Sequence, residues 1–278
     1  MTQTTLQVSQ ATLKKEAKLR ALLAGYETLG VAYSGGVDSS YLSDVASETL
    51  GPNVRILLAD SASVPRSEVE EATDLANARG WNFEIITTNE FENEDYVKND
   101  GTRCYHCRAE LFTKMQAYAN NNGIRSLAYG AIVDDLLDPT RLGHKAAQEY
   151  KVVAPLQEAD LTKDDIRQLS ARRNLPTSDK ASFACLASRV PVGTRVEISI
   201  LAKVEAAEEA MKALGFHQYR ARHHGEVCRL EIDPSDFPKL FEGDIRARLV
   251  AGVQEAGYKH VALDLAGYRT GSTAEAAE

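Results

Sequence analysis

The stretch Ser34-Gly35-Gly36-Val37-Asp38-Ser39 constrains this chain more than any other. It follows Leu29-Gly30-Val31-Ala32-Tyr33, a short apolar run that reads as a buried strand, and it opens a helix expected from Asp38 to Leu50, ended by Gly51-Pro52. Glycine lets a backbone come close to phosphate oxygens. A helix N-terminus adds N–H donors at the positive end of its dipole. Ser34 and Ser39 supply hydroxyl donors. Asp38 would repel a phosphate directly, so its expected work is to hold Mg²⁺ bridging the phosphates. No GxxxxGK[ST] is present, which excludes the usual γ-phosphate-hydrolysing loop.

Around this motif, strands expected at 54–59, 81–87 and 126–129 alternate with helices at 66–78 and 104–121, after an amphipathic helix at 10–24. Such alternation implies an α/β fold: a doubly wound parallel sheet with helices on both faces. Ligands of these sheets bind at the carboxyl ends of strands, which makes Asp60-Ser61 and Gly130-Ala131 candidates for the same nucleotide site. Thr162 and Asp165 form a capping box for a helix over 163–173. Residues 178–194 show no period and read as a functional loop. Beyond 195 the pattern changes to a helix (196–214), a hairpin (218–223 and 227–232), a mostly helical stretch (237–256) and a strand (259–265). We therefore expect a phosphate-loop domain over 1–190 and a small α+β domain over 191–278, with a frayed tail from Thr270.

The formal charge of −8 argues against a broad nucleic-acid-binding face, and 44% hydrophobic with 26% charged residues is ordinary for a globular chain. No apolar run approaches the roughly 20 residues of a membrane span. The first residues hold no secretion signal, so a cytoplasmic protein with no membrane partner is expected.

Four cysteines are too few for a disulfide scaffold. Cys104 and Cys107 form a CxxC at a helix start, Cys185 lies in the irregular loop, and Cys228 stands alone. Three readings compete. A structural zinc would take His106 or Cys228 as a fourth ligand. A redox disulfide would need only Cys104 and Cys107. A [4Fe–4S] cluster on Cys104, Cys107 and Cys185 would leave one iron without a protein ligand, able to bind an exogenous sulfide. Cys228 alternates with Leu230 and Ile232 along one strand face and reads as core. Arg220 and Arg222 share a face of their strand, and two guanidinium forks there suit a phosphate.

The SGGVDS loop resembles the PP-loop of the N-type ATP pyrophosphatases, which cleave ATP between the α and β phosphates and leave an adenylylated substrate. Asp134-Asp135 with Arg141-Leu142-Gly143 resembles that family's acidic-then-arginine segment. Together with Cys104-Tyr105-His106-Cys107 and the stretch from Phe183 to Gly193 (FACLASRVPVG), the chain resembles the LarE family of ATP-dependent sulfur transferases over nearly its whole length. The resemblance extends to Leu214-Gly215-Phe216, to 219–223 and to 263–269. It implies ATP, Mg²⁺ and a carboxylated nicotinic-acid mononucleotide as the small-molecule substrate. A carboxylate is adenylylated and sulfur then displaces AMP. It also implies a homo-oligomer, binding of the substrate's phosphate by Arg220 and Arg222, and an acidic cluster with Glu208 and Glu231. Ser188-Arg189 lies beside Cys185 in the irregular loop, where Arg189 would either steady the adenylate or the substrate carboxylates or pair with an acid of the small domain. In one branch of the family a cysteine gives up its own sulfur. Aligned on Ser188-Arg189, that cysteine falls at Ala184, one residue before Cys185, and the CxxC is the mark of the [4Fe–4S] branch, which is the branch expected here.

For Glu208, flanked by Glu205 and Glu209, an exposed helix position is an equal reading, and for His106 a surface histidine is the commoner outcome. Among rival functions, a tRNA-thiolating enzyme of the same loop type would need a basic surface, and the charge of −8 with no Lys/Arg-rich segment speaks against it. A non-catalytic nucleotide- or zinc-binding module sits poorly with an intact phosphate loop, and an amidating synthetase would want a domain for glutamine hydrolysis.

Overall fold

The computed structural model describes residues 8–137, 143–181 and 184–269. In chain order the elements are α1 (Gln10–Ala24), β1 (Leu29–Tyr33), α2 (Val37–Leu50), β2 (Val54–Asp60), α3 (Arg66–Arg79), β3 (Phe83–Thr87), α4 (Glu94–Val97), α5 (Arg103–Asn122), β4 (Ser126–Ala128), α6 (Gly143–Glu149), α7 (Pro155–Glu158), α8 (Lys163–Arg172), α9 (Ile198–Ala213), β5 (Tyr219–His224), β6 (Val227–Ile232), α10 (Ile245–Glu255) and β7 (His260–Leu263). A short 3-10 turn, Leu186–Arg189, interrupts the otherwise irregular stretch before α9.

These elements belong to two compact units. The first draws on 1–61, 66–90 and 104–183, and the second on 62–65, 91–103 and 184–278. The second unit thus takes in two segments from the first half of the chain that a single cut at residue 190 leaves out. The longer one is held by backbone bonds that local sequence does not reveal: Gly193 N–H donates to Asn99 O at 2.8 Å and Val196 N–H to Val97 O at 2.8 Å.

The first unit is built on a parallel sheet in the order β3-β2-β1-β4. The registers pair Val31 with Ile56 and with Ala128, and Leu58 with Ile85. Alternation along each strand supplies two apolar faces. Val31, Tyr33, Ile56 and Leu58 join Leu19 and Leu23 of α1, Tyr41 and Val45 of α2, and Ile166 and Leu169 of α8 in one buried cluster. Leu57 and Leu127 point the other way, into a cluster with Phe112 and Met115 of α5 and Ala146 of α6. Helices therefore cover both faces, and the expected doubly wound α/β fold is what forms. The chain steps from β1 to β2 to β3 in one direction and to β4 in the other, so its order reverses between β1 and β4. The crevice at that reversal is where such sheets place ligands. The capping box of α8 also fastens α1: Asp165 accepts from Thr12 Oγ1 at 2.6 Å and from Lys15 Nζ at 2.6 Å. Burial alone would raise this carboxyl, but the bonds from Lys15, Thr12 and Thr162 outweigh it and hold it at about 2.

The second unit carries the sheet β5-β6-β7, antiparallel between β5 and β6 and parallel between β6 and β7. Ala207 and Met211 of α9, with Leu249 and Val253 of α10, pack on Ala221, Cys228, Leu230 and Ile232. The helical stretch expected over 237–256 is broken. A 3-10 segment, Pro234–Phe241, contains Pro238, and Gly243 adopts φ +50° before α10 begins. Pro238 has no N–H for an α-helical bond, in keeping with the 3-10 winding around it, and the break itself falls at 242–244, where Gly243 takes the left-handed conformation. Three sequence readings, the Arg141-Leu142 pair, Phe183 and the tail from Thr270, lie outside the described residues. No described helix is long and apolar enough to cross a membrane.

Candidate functional site

The phosphate loop stands at the reversal point of the first unit's sheet, leaving β1 and entering α2. Gly35 has φ +72°, and a Cβ there would sit 3.0 Å from Ala72 Cβ, so the loop is shaped around a residue without a side chain. Gly36 is the N-cap of α2 and no side chain caps the helix. Ser34 and Ser39 bond across the loop, Oγ to Oγ at 3.0 Å, and Ser34 N–H donates to Ser39 Oγ at 3.2 Å. Gly130, just past β4, brings a second backbone against the loop. A Cβ on it would lie 3.0 Å from the Ser39 nitrogen and 3.3 Å from the Asp38 carbonyl carbon. Ser34, Gly35, Gly36, Asp38, Ser39 and Gly130 are thus brought together, as their positions on the sheet predict.

Asp38 lies in the first turn of α2, and its Oδ2 accepts from Lys163 Nζ at 2.5 Å. Lys163 was not singled out by the sequence: the capping box places it at the first helical position of α8, but its partner lies in α2, far along the chain. Asp60, at the end of β2, is paired with Arg66 at 2.6 Å, and Ser61 Oγ bonds Glu90. Asp134 accepts from Lys163 N–H at 2.9 Å and Asp135 from Ile132 N–H at 3.1 Å, so this acidic pair shapes the backbone around α8.

In the second unit, Cys185, Ser188 and Arg189 lie in or next to the 3-10 turn. Arg189 is wholly buried. Its Nε and Nη2 donate to Glu208 at 2.8 and 3.0 Å, and its Nη1 reaches Ala184 O at 2.5 Å, Cys185 O at 3.0 Å and Ser188 Oγ at 3.0 Å. The guanidinium thereby underpins the loop that carries Cys185. Glu208 also accepts from Ala221 N–H at 3.1 Å. It is buried, which corrects the exposed-helix reading: of the acidic residues of α9 it is the one turned onto β5. Arg220 and Arg222 share a face of β5, as expected, and are buried instead of forming a solvated face. Arg222 donates to Ser188 O at 2.9 Å and to Glu231 at 2.8 Å. Arg220 stacks over Tyr268, 4.9 Å from the ring centroid. Burial, then repulsion from Arg189 and Arg222, lowers the pKa of Arg220 despite the opposing pull of Tyr268 and Glu208. Two of these guanidinium groups are already paired with carboxylates, Arg189 with Glu208 and Arg222 with Glu231.

The cysteines differ in setting. Cys104 is exposed and Cys107 and Cys185 half-buried, all as thiols. His106 is half-exposed with its ring edge-on to Tyr105, 5.2 Å away. Among the described residues, no three His, Cys, Asp or Glu side chains gather into a set able to hold a metal ion. Cys228 is buried in the second core, as its alternation predicts, and burial raises its thiol to about 12. In alkylation of the native protein near pH 8, Cys228 is therefore expected to stay unlabelled while Cys104 reacts. Mapping of labelled peptides checks this, and labelling of Cys228 before denaturant is added would refute its burial.

The chain matches no protein-family profile. It is 35% identical over 257 residues to an uncharacterised protein of Synechocystis, spanning 92% of this chain and 96% of the relative. It is 33% identical over 262 residues, 92% of each chain, to the pyridinium-3,5-bisthiocarboxylic acid mononucleotide synthase of Lactiplantibacillus plantarum. A partial match, 40% identical over 58% of this chain, is to the NH₃-dependent NAD⁺ synthetase of Methanococcoides burtonii. Similarity of this extent, on a parallel sheet whose first strand delivers an SGGVDS loop to a helix start, places the chain in the LarE family of pyridinium-3,5-bisthiocarboxylic acid mononucleotide synthases, within the PP-loop fold.

Proposed function

We propose that this chain uses ATP to convert a carboxylate of a carboxylated nicotinic-acid mononucleotide into a thiocarboxylate. The observation that carries the reading is the glycine loop: an uncapped helix start at the sheet's reversal point, with a second backbone pressed against it at Gly130. That geometry suits a triphosphate. A substrate carboxylate oxygen attacks the α-phosphorus, the bond from that phosphorus to the α–β bridging oxygen breaks, and pyrophosphate leaves. The acyl carbon now carries AMP as its leaving group. Hydrosulfide adds to that carbon, the C–O bond to AMP breaks, and the thiocarboxylic acid loses its proton to water.

The loop residues Ser34 to Ser39 would cradle the phosphates, with Asp60 and Gly130 beside them. One carboxylate plus phosphate oxygens and water is how Mg²⁺ is commonly held, and Asp38 is the carboxylate in place for it, sharing its charge with Lys163. Bound there, Mg²⁺ would neutralise charge on the departing pyrophosphate. The phosphate end of the substrate is assigned to Arg220 and Arg222, two guanidinium forks on one face of β5. Ser188 offers a hydroxyl near them, on the loop that Arg189 supports. Cys104, Cys107 and Cys185 are the proposed sulfur-handling residues. Three soft thiolates suit iron–sulfur chemistry, and a [4Fe–4S] cluster with an open iron would supply a metal-held sulfide. The set is not preformed among the described residues, and the transfer itself needs only a sulfur nucleophile.

Two measurements test the reading. Incubation with ATP, sulfide and a carboxylated nicotinic-acid mononucleotide is expected to yield pyrophosphate, AMP and thiocarboxylate in equal amounts, and absence of pyrophosphate would sink it. Oxygen-free protein that carries iron is expected to hold about four irons and matching acid-labile sulfide per chain. Colourless protein with one tight zinc would reject the cluster and leave the adenylylation intact.

A further inference from the structure

We propose, taking Cys185 to be part of the sulfur chemistry above, that Asn99 and Arg103 are positioning residues that hold the Cys185 loop in its reactive shape. Both belong to the segment that the second unit borrows from the first half of the chain. Asn99 is buried and has φ +55°, a conformation that residues other than glycine seldom adopt. Its amide donates to Pro191 O at 2.9 Å and Thr194 O at 3.0 Å, with Val190 O at 3.5 Å. Its own carbonyl accepts from Gly193 N–H at 2.8 Å. The side-chain oxygen accepts from Arg103 Nη1 at 2.6 Å, and the same Nη1 donates to Ala187 O at 2.8 Å.

One continuous chain of hydrogen bonds therefore runs from Ala187 to Thr194 through Asn99 and Arg103. Next to Cys185 itself, Leu186 N–H donates to Ser63 O at 2.8 Å, and Arg189 takes the carbonyls of Ala184 and Cys185. The loop is thus gripped by both borrowed segments of the unit and by Glu208 through Arg189. An isolated turn needing positive φ is served by glycine. Here a side chain occupies the position, and it is that side chain whose amide reaches the loop carbonyls of Val190, Pro191 and Thr194. Backbone in a sparsely populated conformation persists only where its surroundings over-determine it, and such places cluster at functional sites.

The test compares Arg103→Met, Arg103→Lys, Asn99→Asp and Asn99→Gly in the full chain. Amide hydrogen exchange over 185–194 is read beside the KM and kcat of thiocarboxylate formation. Arg103→Met and Asn99→Asp are expected to speed exchange in that segment about tenfold or more. They are expected to lower kcat about a hundredfold with KM for the nucleotide substrate nearly unchanged, as a misplaced reacting group does. Arg103→Lys keeps a donor and recovers part of the loss. Asn99→Gly keeps the backbone conformation but loses the carbonyl contacts, and should resemble Asn99→Asp. If Asn99→Gly behaves like the parent chain, or if exchange over 185–194 does not change, the proposal is overturned. Should Arg103→Met not fold, the lysine and aspartate variants carry the same readouts. A Cys185→Ser chain that still forms thiocarboxylate would overturn the role given to Cys185, and the exchange data would separately show whether the clasp exists.

Discussion

Exchanging Arg189 for methionine is expected to destabilise the second unit by about 3–5 kcal/mol, because it strands a buried carboxylate. Arg189 has no exposed surface and Glu208 is 5% exposed. They share two hydrogen bonds, and the arginine holds three acceptors of the Cys185 loop besides. Without the guanidinium, Glu208 keeps the Ala221 N–H as a donor but faces no opposite charge from that side. Glu208→Gln should cost a similar amount by leaving the arginine uncompensated. The double change Arg189→Met with Glu208→Leu should recover much of the loss, since two apolar groups of like volume replace both charges. Urea unfolding measures all three. A single change within about 0.5 kcal/mol of the parent, the range of an ordinary surface substitution, would show that the pair does not hold this region.

Asp38→Ala is expected to lower pyrophosphate formation about a hundred- to a thousandfold, the range that loss of several kcal/mol of charge stabilisation implies. Stability should hardly change. The pair with Lys163 is partly exposed on both sides and contributes about 0–1 kcal/mol, with a similar small effect from losing an acid in the first turn of α2. Asp38→Asn keeps the shape and loses the charge, so it should fall nearly as far. Full retention of pyrophosphate release by either variant would remove Asp38 from the metal-holding role. A large fall in unfolding midpoint would instead mark it as a structural residue.

The phosphate loop could be read from six consecutive residues because each acts locally. Two glycines give the bend, flanking apolar residues give the strand, and the helix start follows directly. The four strands and the long helices of the first unit could be read for the same reason, since burial alternation and 3.6-residue periodicity are short-range patterns, whereas the short α6 and α7 span too few turns to show a period. The break near Gly243 was readable in principle, because a glycine frees its own backbone and Pro238 lies just before it. The role of Arg189 was readable only as a choice between a ligand contact and a pairing with an acid of the small domain. The approach of α9 and β5 decides for the second, with Glu208 as the acid, and makes it a buried support. Lys163, Asn99 and Arg103 were missed for a related reason. Their partners are Asp38, Pro191 and Ala187, each far along the chain, and a bond between distant residues leaves no spacing pattern.

The order of residues alone determined the α/β phosphate-loop class, the site's glycines and the buried thiol of Cys228, because conformational freedom and hydrophobic alternation are properties of neighbours. Folding in three dimensions decided which charges are buried together and which segment closes over the Cys185 loop. Those outcomes depend on desolvation and on the meeting of distant backbone carbonyls with side-chain donors, which no local pattern encodes.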